Sequence, residues 1–430
     1  VEDAIRGMIE KLDPHSAYST AEQTKRLNEP LQGSFDGIGI QFNILDDTLM
    51  VIQTVTGGPS EKAGVMAGDR IISVGDTAIA GVKMPQEEIM KRLRGPRGTK
   101  AHLGIMRDGI DETIYIDVIR DKIPLNSVDA AFMVTPHTGL IRFSNFAATT
   151  YDEVVEAIRK LKAQGMKNLI LDVTQNGGGF LQAAAEIASE LLPKDDLIVY
   201  TQGRAIKPQE FLSRGGNAFQ DGKVIILVDE YSASAAEILA GAVQDQDRGL
   251  VVGRRTFGKG LVQRPVDLPD GSMIRLTIAK YYTPSGRCIQ KPYEKGKQQE
   301  YRMDVINRFN HGELTNADSI HFPDSLRFQT LKKGRTVYGG GGIMPDYFVP
   351  LDTTKNTSLY RQIVAKRILI DANLRYLAKH RNELKQKFPT FEDFRRKYEV
   401  PNEVIDNILA EAKKVLKDKY PKDEEKKTTE

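Results

Sequence analysis

Residues 224–243, VIILVDEYSASAAEILAGAV, contain the transition that decides the fold of this chain. The five apolar residues 224–228 predict a strand buried on both faces, and the apolar pattern that begins at Ala235 predicts a helix. A short polar turn, 229–234, joins the two. A buried strand that passes through a tight turn into a helix is typical of layered α/β domains, in which reactive groups lie beyond the strand ends.

The same alternation of buried strands and helices extends in both directions from this stretch. It predicts an α/β core with buried parallel strands. The further predicted elements of this core are strands at 139–143, 169–173 and 250–252, helices at 154–161 and 180–192, and a hairpin turn at 269–271. Residues 1–32 and 358–419 are predicted to be helical, and the polar tail 421–430 is predicted to be disordered.

The bulk composition is that of an ordinary globular protein with two to four domains. Of the 430 residues, 40% are hydrophobic and 28% charged, and the net charge of +3 gives no reason to expect a nucleic-acid partner. No apolar run approaches the roughly 18–20 residues of a membrane span. The single cysteine, Cys288, excludes a disulfide framework and a multi-cysteine metal site. Because the chain begins at Val1 without a Met, we expect a mature or trimmed form.

Residues 33–122 differ from the core, because short β-branched runs alternate there with glycine-containing turns. The segment Gly37-Ile38-Gly39-Ile40 opens one of these strands. Successive N–H groups of such a turn can bind one anion, and glycines let a ligand approach the backbone. The strand that follows can then pair with an extended peptide.

A lone glycine turn of this kind is more often only a tight turn, and the surrounding sequence decides between the two interpretations. Residues 58–76, GPSEKAGVMAGDRIISVGD, resemble the PDZ family, and the resemblance covers most of 33–122. It implies that Gly37, Ile38, Gly39 and Ile40 bind the C-terminal carboxylate of a peptide.

The turn before the predicted helix at Ala235 carries two serines, Ser232 and Ser234. Ser234 with Glu237 three residues later is a capping-box pattern, and a structural cap is the simplest interpretation of it. The same place also suits a nucleophile, since the free N–H groups at a helix start can stabilise an oxyanion.

A nucleophilic serine needs a base, and none of the six histidines lies between residues 169 and 263. We interpret His15 as a turn residue. Residues 253–263, GRRTFGKGLVQ, instead place Lys259 between two glycines. Lysine replaces histidine in Ser–Lys pairs, provided that desolvation or nearby cations lower its pKa from about 10.4. Gln263 is expected to hold the lysine amine.

These motifs resemble those of the carboxyl-terminal processing protease family over about residues 1–350. The family's serine and lysine stretches correspond to 232–237 and 256–263. Its spacing of 25 residues between nucleophile and lysine selects Ser234, because 259 − 234 = 25.

A third stretch, 172–179, reads DVTQNGGG and resembles the oxyanion loop of the same family. The resemblance implies an oxyanion hole made by Gly178 or Gly179 together with Ala235. Two residues depart from the family pattern: Thr174 stands where an Arg is usual, and Ala236 replaces a Ser. The first departure is expected to change how the loop is held.

The resemblance implies an α/β fold with a crotonase-like β-β-α spiral protease core, an inserted β-rich PDZ domain, and helical N- and C-terminal regions. The corresponding segments are an N-terminal helical segment at 1–32, the PDZ domain at 33–122, the protease core at 123–354, and a C-terminal helical extension at 355–430. It further implies a serine endopeptidase of the bacterial cell envelope, most simply the periplasm. This enzyme would cleave proteins at or near their C-termini without a cofactor or metal.

The expected partners are protein or peptide substrates with free C-termini and not nucleic acids. A homo-oligomer and an activating or adaptor protein are left open. Arg120, at the end of the PDZ-like region, is a candidate regulatory contact. Two alternatives remain: a PDZ scaffold that binds C-termini without cleaving them, and an acyl-CoA enzyme of the crotonase type. The second needs no PDZ domain, and no cluster in the sequence suits an adenine and pyrophosphate.

Overall fold

The computed structural model describes residues 2–294, 296–354 and 356–429. The predicted start of the first helix at Val1, the predicted domain boundary at Lys355 and the last tail residue, Glu430, lie outside the described residues. No described helix is long and apolar enough to cross a lipid bilayer.

The helices of the described residues range from four to twenty residues in length. In chain order they are α1 (Glu2–Ile9), α2 (Ala21–Gln32), α3 (Pro59–Lys62), α4 (Gln86–Leu93), α5 (Thr150–Ala163), α6 (Leu181–Leu191), α7 (Ala235–Asp245), α8 (Gln298–Arg302), α9 (Asp304–Asn310), α10 (Ser358–Ala365), α11 (Ile368–Lys387), α12 (Phe391–Lys397), α13 (Asn402–Leu416) and α14 (Glu425–Thr429).

The strands are mostly short, and the longest of them form hairpins. In chain order they are β1 (Ala17–Ser19), β2 (Ser34–Gly37), β3 (Ile40–Leu45), β4 (Thr48–Thr54), β5 (Arg70–Val74), β6 (Thr77–Ala78), β7 (Lys100–Arg107), β8 (Ile110–Ile119), β9 (Asp121–Pro124), β10 (Val128–Thr135), β11 (Thr138–Phe143), β12 (Asn168–Asp172), β13 (Leu197–Gln202), β14 (Gln209–Leu212), β15 (Val224–Val228), β16 (Leu250–Gly253), β17 (Leu261–Asp267), β18 (Met273–Tyr282), β19 (Arg327–Gln329), β20 (Thr336–Tyr338) and β21 (Tyr347–Phe348).

The chain forms two compact units, and the first contains residues up to 35 together with 124–351. Its main sheet has the order β10-β11-β12-β15-β16-β21 and is parallel except for the pair β10–β11. A second, antiparallel sheet has the order β1-β18-β13-β14, with β17 also paired to β18. The predicted α/β core with buried parallel strands is confirmed. The spiral arrangement implied by the resemblance stays a prediction.

Helices α5, α6 and α7 build the core of this unit against the sheets. Every residue of α7 is buried, and alanines occupy many inward positions of α6 and α7. Small side chains allow the two helices to approach each other closely, so that the start of α7 is held in a densely packed environment.

The strand β1 differs from the prediction of a helical segment at 1–32. The three-residue strand β1 follows the 12–16 turn and pairs with β18, so that Ala17 lies opposite Arg275. Asp13 fixes the turn by accepting hydrogen bonds from the backbone N–H of His15 (2.8 Å) and from the hydroxyl of Thr277 (2.9 Å) on β18. The N-terminal segment is therefore attached to the β17–β18 hairpin.

The second unit contains residues 36–123 and the described residues from 352 onward. Its six-stranded sheet has the order β3-β4-β5-β7-β8, with β6 paired to β5, and β3 lies at an edge. The helices α10, α11 and α13 share a core of their own, and Leu374 of α11 packs on Leu45 and Met50 of the sheet. The C-terminal helices thus form one unit with the β-rich region.

The C-terminal tail differs from the prediction of disorder. Residues 425–429 form α14, and Glu424 accepts a hydrogen bond from the N–H of Leu359 (2.7 Å) at the start of α10. The hydroxyls of Thr357 and Thr428 lie 2.6 Å apart. The prediction was wrong because the tail is held by polar contacts to a distant helix start, and its composition alone gives no sign of them.

Candidate active site

Ser234 lies between β15 and α7, and its backbone conformation is strained. Its φ of +58° lies in the left-handed region, which residues with a Cβ rarely adopt. Its carbonyl accepts a 2.9 Å hydrogen bond from the hydroxyl of Tyr281, which is almost completely buried. Ser234 is half-buried and lines a cavity of about 460 Å³. The packing therefore holds a serine in an unfavourable conformation at the wall of a cavity.

Ser232, the other serine of this turn, is buried and hydrogen-bonded inside the protein. It is fully buried, and its hydroxyl donates to the carbonyl of Val173 (2.7 Å) and accepts from the N–H of Asp229 (3.0 Å). Both hydrogen-bonding roles of the hydroxyl are thus occupied inside the protein.

Lys259 lines the same cavity as Ser234. Burial lowers the pKa of Lys259 from 10.5 to about 8, and the positive charge of Arg275 contributes in the same direction. The negative charges of Glu237 and Asp13 oppose this shift. The hydrogen bonds found for Lys259 and Ser234 in the described part of the chain are made by their backbone atoms. The side-chain amine therefore has no hydrogen-bond partner among the described residues, and it loses its proton at a lower pH than an ordinary lysine does.

Glu237 connects the serine to the lysine. Its carboxylate is completely buried, and one oxygen accepts from the N–H of Ser234 and from the N–H of Lys259, both at 2.8 Å. The other oxygen accepts from the N–H of Gly258 (2.7 Å) and from the hydroxyl of Thr256 (2.5 Å). Burial raises the pKa of Glu237, although these four hydrogen bonds act in the opposite direction. One side chain thus fixes the backbone of both residues.

Gln263 lines the cavity on β17, and its side-chain amide is oriented by the N-terminal turn. The Nε2 donates a 2.6 Å hydrogen bond to the carbonyl of His15. With the nitrogen held in this way, the amide oxygen is left to accept a hydrogen bond from another donor. The expected contact between Gln263 and the Lys259 amine stays a prediction.

His15 itself lies near the lysine, although the sequence does not place any histidine there. Its Nε2 is 2.7 Å from the hydroxyl of Tyr301. Burial lowers the pKa of His15 to about 4, and the positive charge of Lys259 adds to this effect. His15 is therefore uncharged at neutral pH.

Gly178 of the glycine-rich loop contacts the serine turn directly. A Cβ added to Gly178 would lie 2.7 Å from Ser234 Cβ and 2.9 Å from the backbone nitrogen of Ala235. The N–H of Gly178 donates to the side-chain oxygen of Asn176 (2.9 Å). The next residue, Gly179, has φ +149° and lies against the carbonyl of Phe146. The loop and the start of α7 thus meet where an oxyanion hole is predicted.

Asp229 holds the glycine loop to the serine turn. Its carboxylate accepts from the N–H groups of Ser232 and Gln175, both at 3.0 Å, and also contacts the side chain of Gln175. The N–H of Ala233 donates to the carbonyl of Asn176 (2.9 Å). These bonds fix two loops that are more than 50 residues apart in the sequence.

Thr174, which departs from the family pattern, supports the loop locally. Its N–H (2.9 Å) and hydroxyl (2.7 Å) donate to the carboxylate of Asp172. The other carboxylate oxygen is 3.7 Å from Arg142 on the neighbouring strand β11. An arginine from the adjacent strand therefore supplies a cation near Asp172.

The rest of the cavity is mainly apolar. Its walls come from α2, the glycine loop, the start of α7 and the β17–β18 hairpin. The apolar side chains in these walls include Leu27, Leu31, Phe180, Ile238 and Met273. Within the described residues, no group of three or more His, Cys, Asp or Glu is placed to hold a metal ion.

Comparison with known proteins finds matches over both the α/β region and the β-rich region. The model of peptidase family S41 matches residues 137–298, and the PDZ domain model matches 37–118. The carboxy-terminal-processing protease of Bartonella bacilliformis is 36% identical over 295 residues, which are 67% of this chain and 67% of that protein. The carboxyl-terminal-processing protease of Synechocystis sp. is 37% identical over 294 residues, or 67% and 68% of the two chains.

The chain belongs to peptidase family S41. It is a serine-type peptidase of the carboxyl-terminal processing group and carries a PDZ domain, so its substrates are proteins or peptides. Among solved structures, the photosystem II D1 C-terminal processing protease is 30% identical, covers 69% of this chain and 80% of its own, and has a TM-score of 0.40. Residues 359–430 match a family of unknown function, DUF8443.

The PDZ domain of this S41 peptidase contains the predicted carboxylate loop between β2 and β3. The carbonyls of Ile38 and Gly39 accept from Ser60 and Val55, both at 3.0 Å. Gly39 has φ +73°, which explains the need for glycine. Gly37 ends β2, and Ile40 begins the edge strand β3, whose outer side is open for a further strand within this sheet.

Arg120 is held inside the second unit. Its guanidinium donates to the carbonyls of Leu93 (3.0 Å), Arg92 (2.6 Å) and Lys100 (2.7 Å). Burial lowers the pKa of Arg120. These contacts connect the end of α4 to the end of the PDZ sheet and give Arg120 a structural role there.

Four residues of the peptidase site were not predicted to belong to it: Glu237, Tyr281, His15 and Arg275. The capping-box pattern connected Glu237 with Ser234 but gave no sign of its bond to Lys259. The other three lie on the N-terminal turn and on β18. Only tertiary pairing brings them to the cavity.

Proposed function

We propose that this S41 peptidase cleaves polypeptides near their C-termini with Ser234 as nucleophile and Lys259 as general base. The observation that carries the proposal is the position of Glu237, whose carboxylate binds the backbone of both residues at 2.8 Å. The lowered pKa of Lys259, about 8, supports the same assignment.

The reaction would follow the sequence of acyl transfer. Neutral Lys259 takes the hydroxyl proton of Ser234 while the oxygen attacks a peptide carbonyl. The developing oxyanion would be stabilised by the N–H of Ala235 and, because the N–H of Gly178 already donates to Asn176, by the N–H of Gly179. The protonated lysine then gives its proton to the leaving amine. Water, deprotonated by the same lysine, hydrolyses the acyl-enzyme and restores Ser234.

The PDZ domain would bind the C-terminal tail of the substrate. The loop 37–40 would receive the carboxylate, and the tail would extend the sheet beside β3. The open edge of β3 supports this role. The test compares free and amidated C-termini on one substrate. Cleavage of the amidated form should slow at low substrate concentration, and equal rates would contradict docking on the PDZ domain.

The resemblance to the family is the only support for a regulatory role of Arg120. The same holds for a homo-oligomer and for an activating or adaptor protein. We propose that substrate docking on the PDZ domain changes the arrangement of the catalytic residues, with Arg120 as one contact. Arg120→Ala should then reduce the stimulation by free C-termini more than it reduces cleavage of short amidated peptides. We also propose location in the cell envelope, which fractionation of the producing cells tests.

Replacement of each serine tests the central assignment. Ser234→Ala should abolish proteolysis, with a loss on the order of a million-fold, because the covalent nucleophile is removed. Ser232→Ala should retain far more activity but lower stability, because its hydroxyl is bound inside the protein. If Ser232 proves essential and Ser234 dispensable, the assignment is wrong. Two assays on the wild type separate the proposal from its alternatives. A peptidase cleaves casein, an acyl-CoA enzyme of the crotonase type turns over acyl-CoA, and a PDZ scaffold without activity does neither.

A further inference from the structure

Arg275 lines the catalytic cavity, and beyond its effect on the pKa of Lys259 it has no role in the reaction described above. On the β17–β18 hairpin it lies opposite Pro265, and Gln263 lies opposite Thr277. Side chains two residues apart on a strand share a face. Arg275 therefore extends from the same face of the hairpin as Gln263, on the cavity side.

The guanidinium of Arg275 is not satisfied inside the protein. Its Nε is buried without a hydrogen-bond partner among the described residues, and no ion pair of Arg275 is found in that part of the chain. A buried guanidinium nitrogen normally binds an acceptor, because leaving it unpaired is unfavourable.

The nearby carboxylates are already occupied. Asp13 accepts from His15, Ser16 and Thr277, and Glu237 accepts four hydrogen bonds. Neither of them forms a hydrogen bond with Arg275. The acceptor that the Nε of Arg275 lacks among the described residues can be supplied by a molecule that enters the cavity.

We infer that Arg275 binds a carboxylate of the polypeptide substrate close to the scissile bond, so that the peptidase prefers an acidic group at one position. This inference rests on the proposed function and deepens it. The planar guanidinium matches a carboxylate with two parallel hydrogen bonds. The apolar walls around it strengthen such a pair and favour apolar residues at neighbouring positions. The carboxylate belongs either to an Asp or Glu side chain or to the terminus of a short tail.

Paired peptides that differ only by Glu or Gln test the inference. Glu is placed in turn at each of the three positions on either side of the cleaved bond, with free and amidated C-termini in separate arms. The quantity compared is the ratio of kcat/KM for Glu over Gln. This ratio cancels any change in the base Lys259 that a substitution at Arg275 causes.

The wild type should prefer Glu at one position by about ten- to a hundredfold, as expected for a charged hydrogen bond. Arg275→Met should reduce the ratio to about one. Arg275→Lys should leave an intermediate value, because the positive charge remains but the planar group that forms two parallel hydrogen bonds is lost. Arg275→Glu should reverse the preference, so that Lys is favoured over Gln at the same position. The matched control is Arg264→Met, an exposed residue of β17 on the other face of the hairpin, which should keep the wild-type ratio.

A preference for the free terminus alone, lost in Arg275→Met, would assign the site to the terminal carboxylate. The inference is overturned if the wild type cleaves Glu and Gln peptides equally with either end, or if Arg275→Met keeps the preference. Failure of the proposed function looks different, because wild type and Ser234→Ala would then be equally inactive on every peptide. Binding of amidated Glu and Gln peptides to Ser234→Ala, measured by calorimetry, still tests Arg275 in that case.

Discussion

The buried carboxylate of Glu237 explains how Ser234 and Lys259 keep their relative positions. It receives backbone N–H groups from both residues, and they lie 25 positions apart in the sequence. A carboxylate oxygen accepts two such bonds, whereas the nitrogen of an amide accepts none. The carboxylate of Glu237 thus positions the main chain of Ser234 and Lys259, and it takes no part in the chemical steps of the proposed reaction.

Replacement of Glu237 by Gln should separate positioning from folding. The amide nitrogen would face backbone donors, and each buried donor left unpaired costs about 1–3 kcal/mol. We expect kcat to fall about a hundredfold or more and the free energy of unfolding to fall, as measured by steady-state kinetics and urea denaturation. The matched control is Glu230→Gln, because Glu230 is also buried but binds Arg254. Full activity of Glu237→Gln would contradict the positioning role.

At this scale the sequence indicates the proposed Ser234–Lys259 pair, but it does not indicate the residues that surround the pair. The spacing of 25 residues and the glycines around Lys259 are local signals, and both residues line one cavity. The contacts of Glu237 with Thr256, Gly258 and Lys259 span 19 to 22 residues. Such contacts depend on how a strand and a helix start pack together, which no local pattern encodes.

Among the elements, the glycine-rich loop has the strictest requirement on one residue. Gly178 has φ +97°, and an added Cβ would lie 2.7 Å from Ser234 Cβ. Gly178→Ala should therefore displace the serine or the start of α7 and remove most proteolytic activity. The control is Gly177→Ala, since a Cβ at Gly177 meets no atom within 4 Å. Circular dichroism distinguishes loss of the site from loss of the fold. An active Gly178→Ala variant would show that the loop does not touch the serine as described.

The N-terminal turn should make stability depend on pH. The pKa of His15 is about 4 in the folded protein and about 6.5 when unfolded. Below pH 6.5 the unfolded chain therefore binds a proton that the folded protein does not, and stability falls as the pH decreases toward 4. His15→Gln should reduce this decrease between pH 6.5 and 4 in thermal unfolding. Identical pH profiles of the two proteins would contradict the burial of a neutral His15.

The contacts of the 12–16 turn with β18 cannot be predicted from the local sequence. The residues of this turn bind Thr277 across 261 to 264 positions, and β1 has no strand character of its own over three residues. The helices α6 and α7, by contrast, are predicted within one residue at each stated end, because their apolar patterns are local.

For the whole molecule, the C-terminal helices belong to the unit that contains the PDZ domain. Leu374 packs on Leu45 and Met50, and Arg375 pairs with Asp46 at 2.7 Å in the β3–β4 turn. These contacts support the strand beside which a substrate tail is proposed to lie. The extension thus packs on the PDZ sheet at the β3–β4 turn and contributes to its stability.

Removal of one apolar contact tests this support. Leu374→Ala should lower the free energy of unfolding of the second unit by about 2–4 kcal/mol, because a buried leucine leaves a cavity. The control on the same helix is Leu377→Ala, since Leu377 is 42% exposed and should cost far less. Hydrogen exchange of β3 and β4 in the intact chain is the measurement. Unchanged protection of both strands in Leu374→Ala would contradict the supporting role.

The sequence identifies the segments of this molecule more readily than it shows which segments pack against each other. The PDZ-like and α/β patterns are local and predict two different folds. The amphipathic helices α11 and α13 are also predictable, but their partner is not, because an apolar face is the same whichever surface it covers. The pairing of Leu374 with the sheet therefore requires the structure.

The most direct test of the central claim is the pH dependence of kcat/KM on a substrate without ionisable groups. This constant reports the base of the free enzyme. The account predicts a rise of about tenfold per pH unit up to a midpoint near the pKa of Lys259, about 8, and a plateau above it. His15→Gln should keep that midpoint, and Lys259→Arg should be inactive because a guanidinium stays protonated. A midpoint near 6.5 that disappears in His15→Gln would contradict the account.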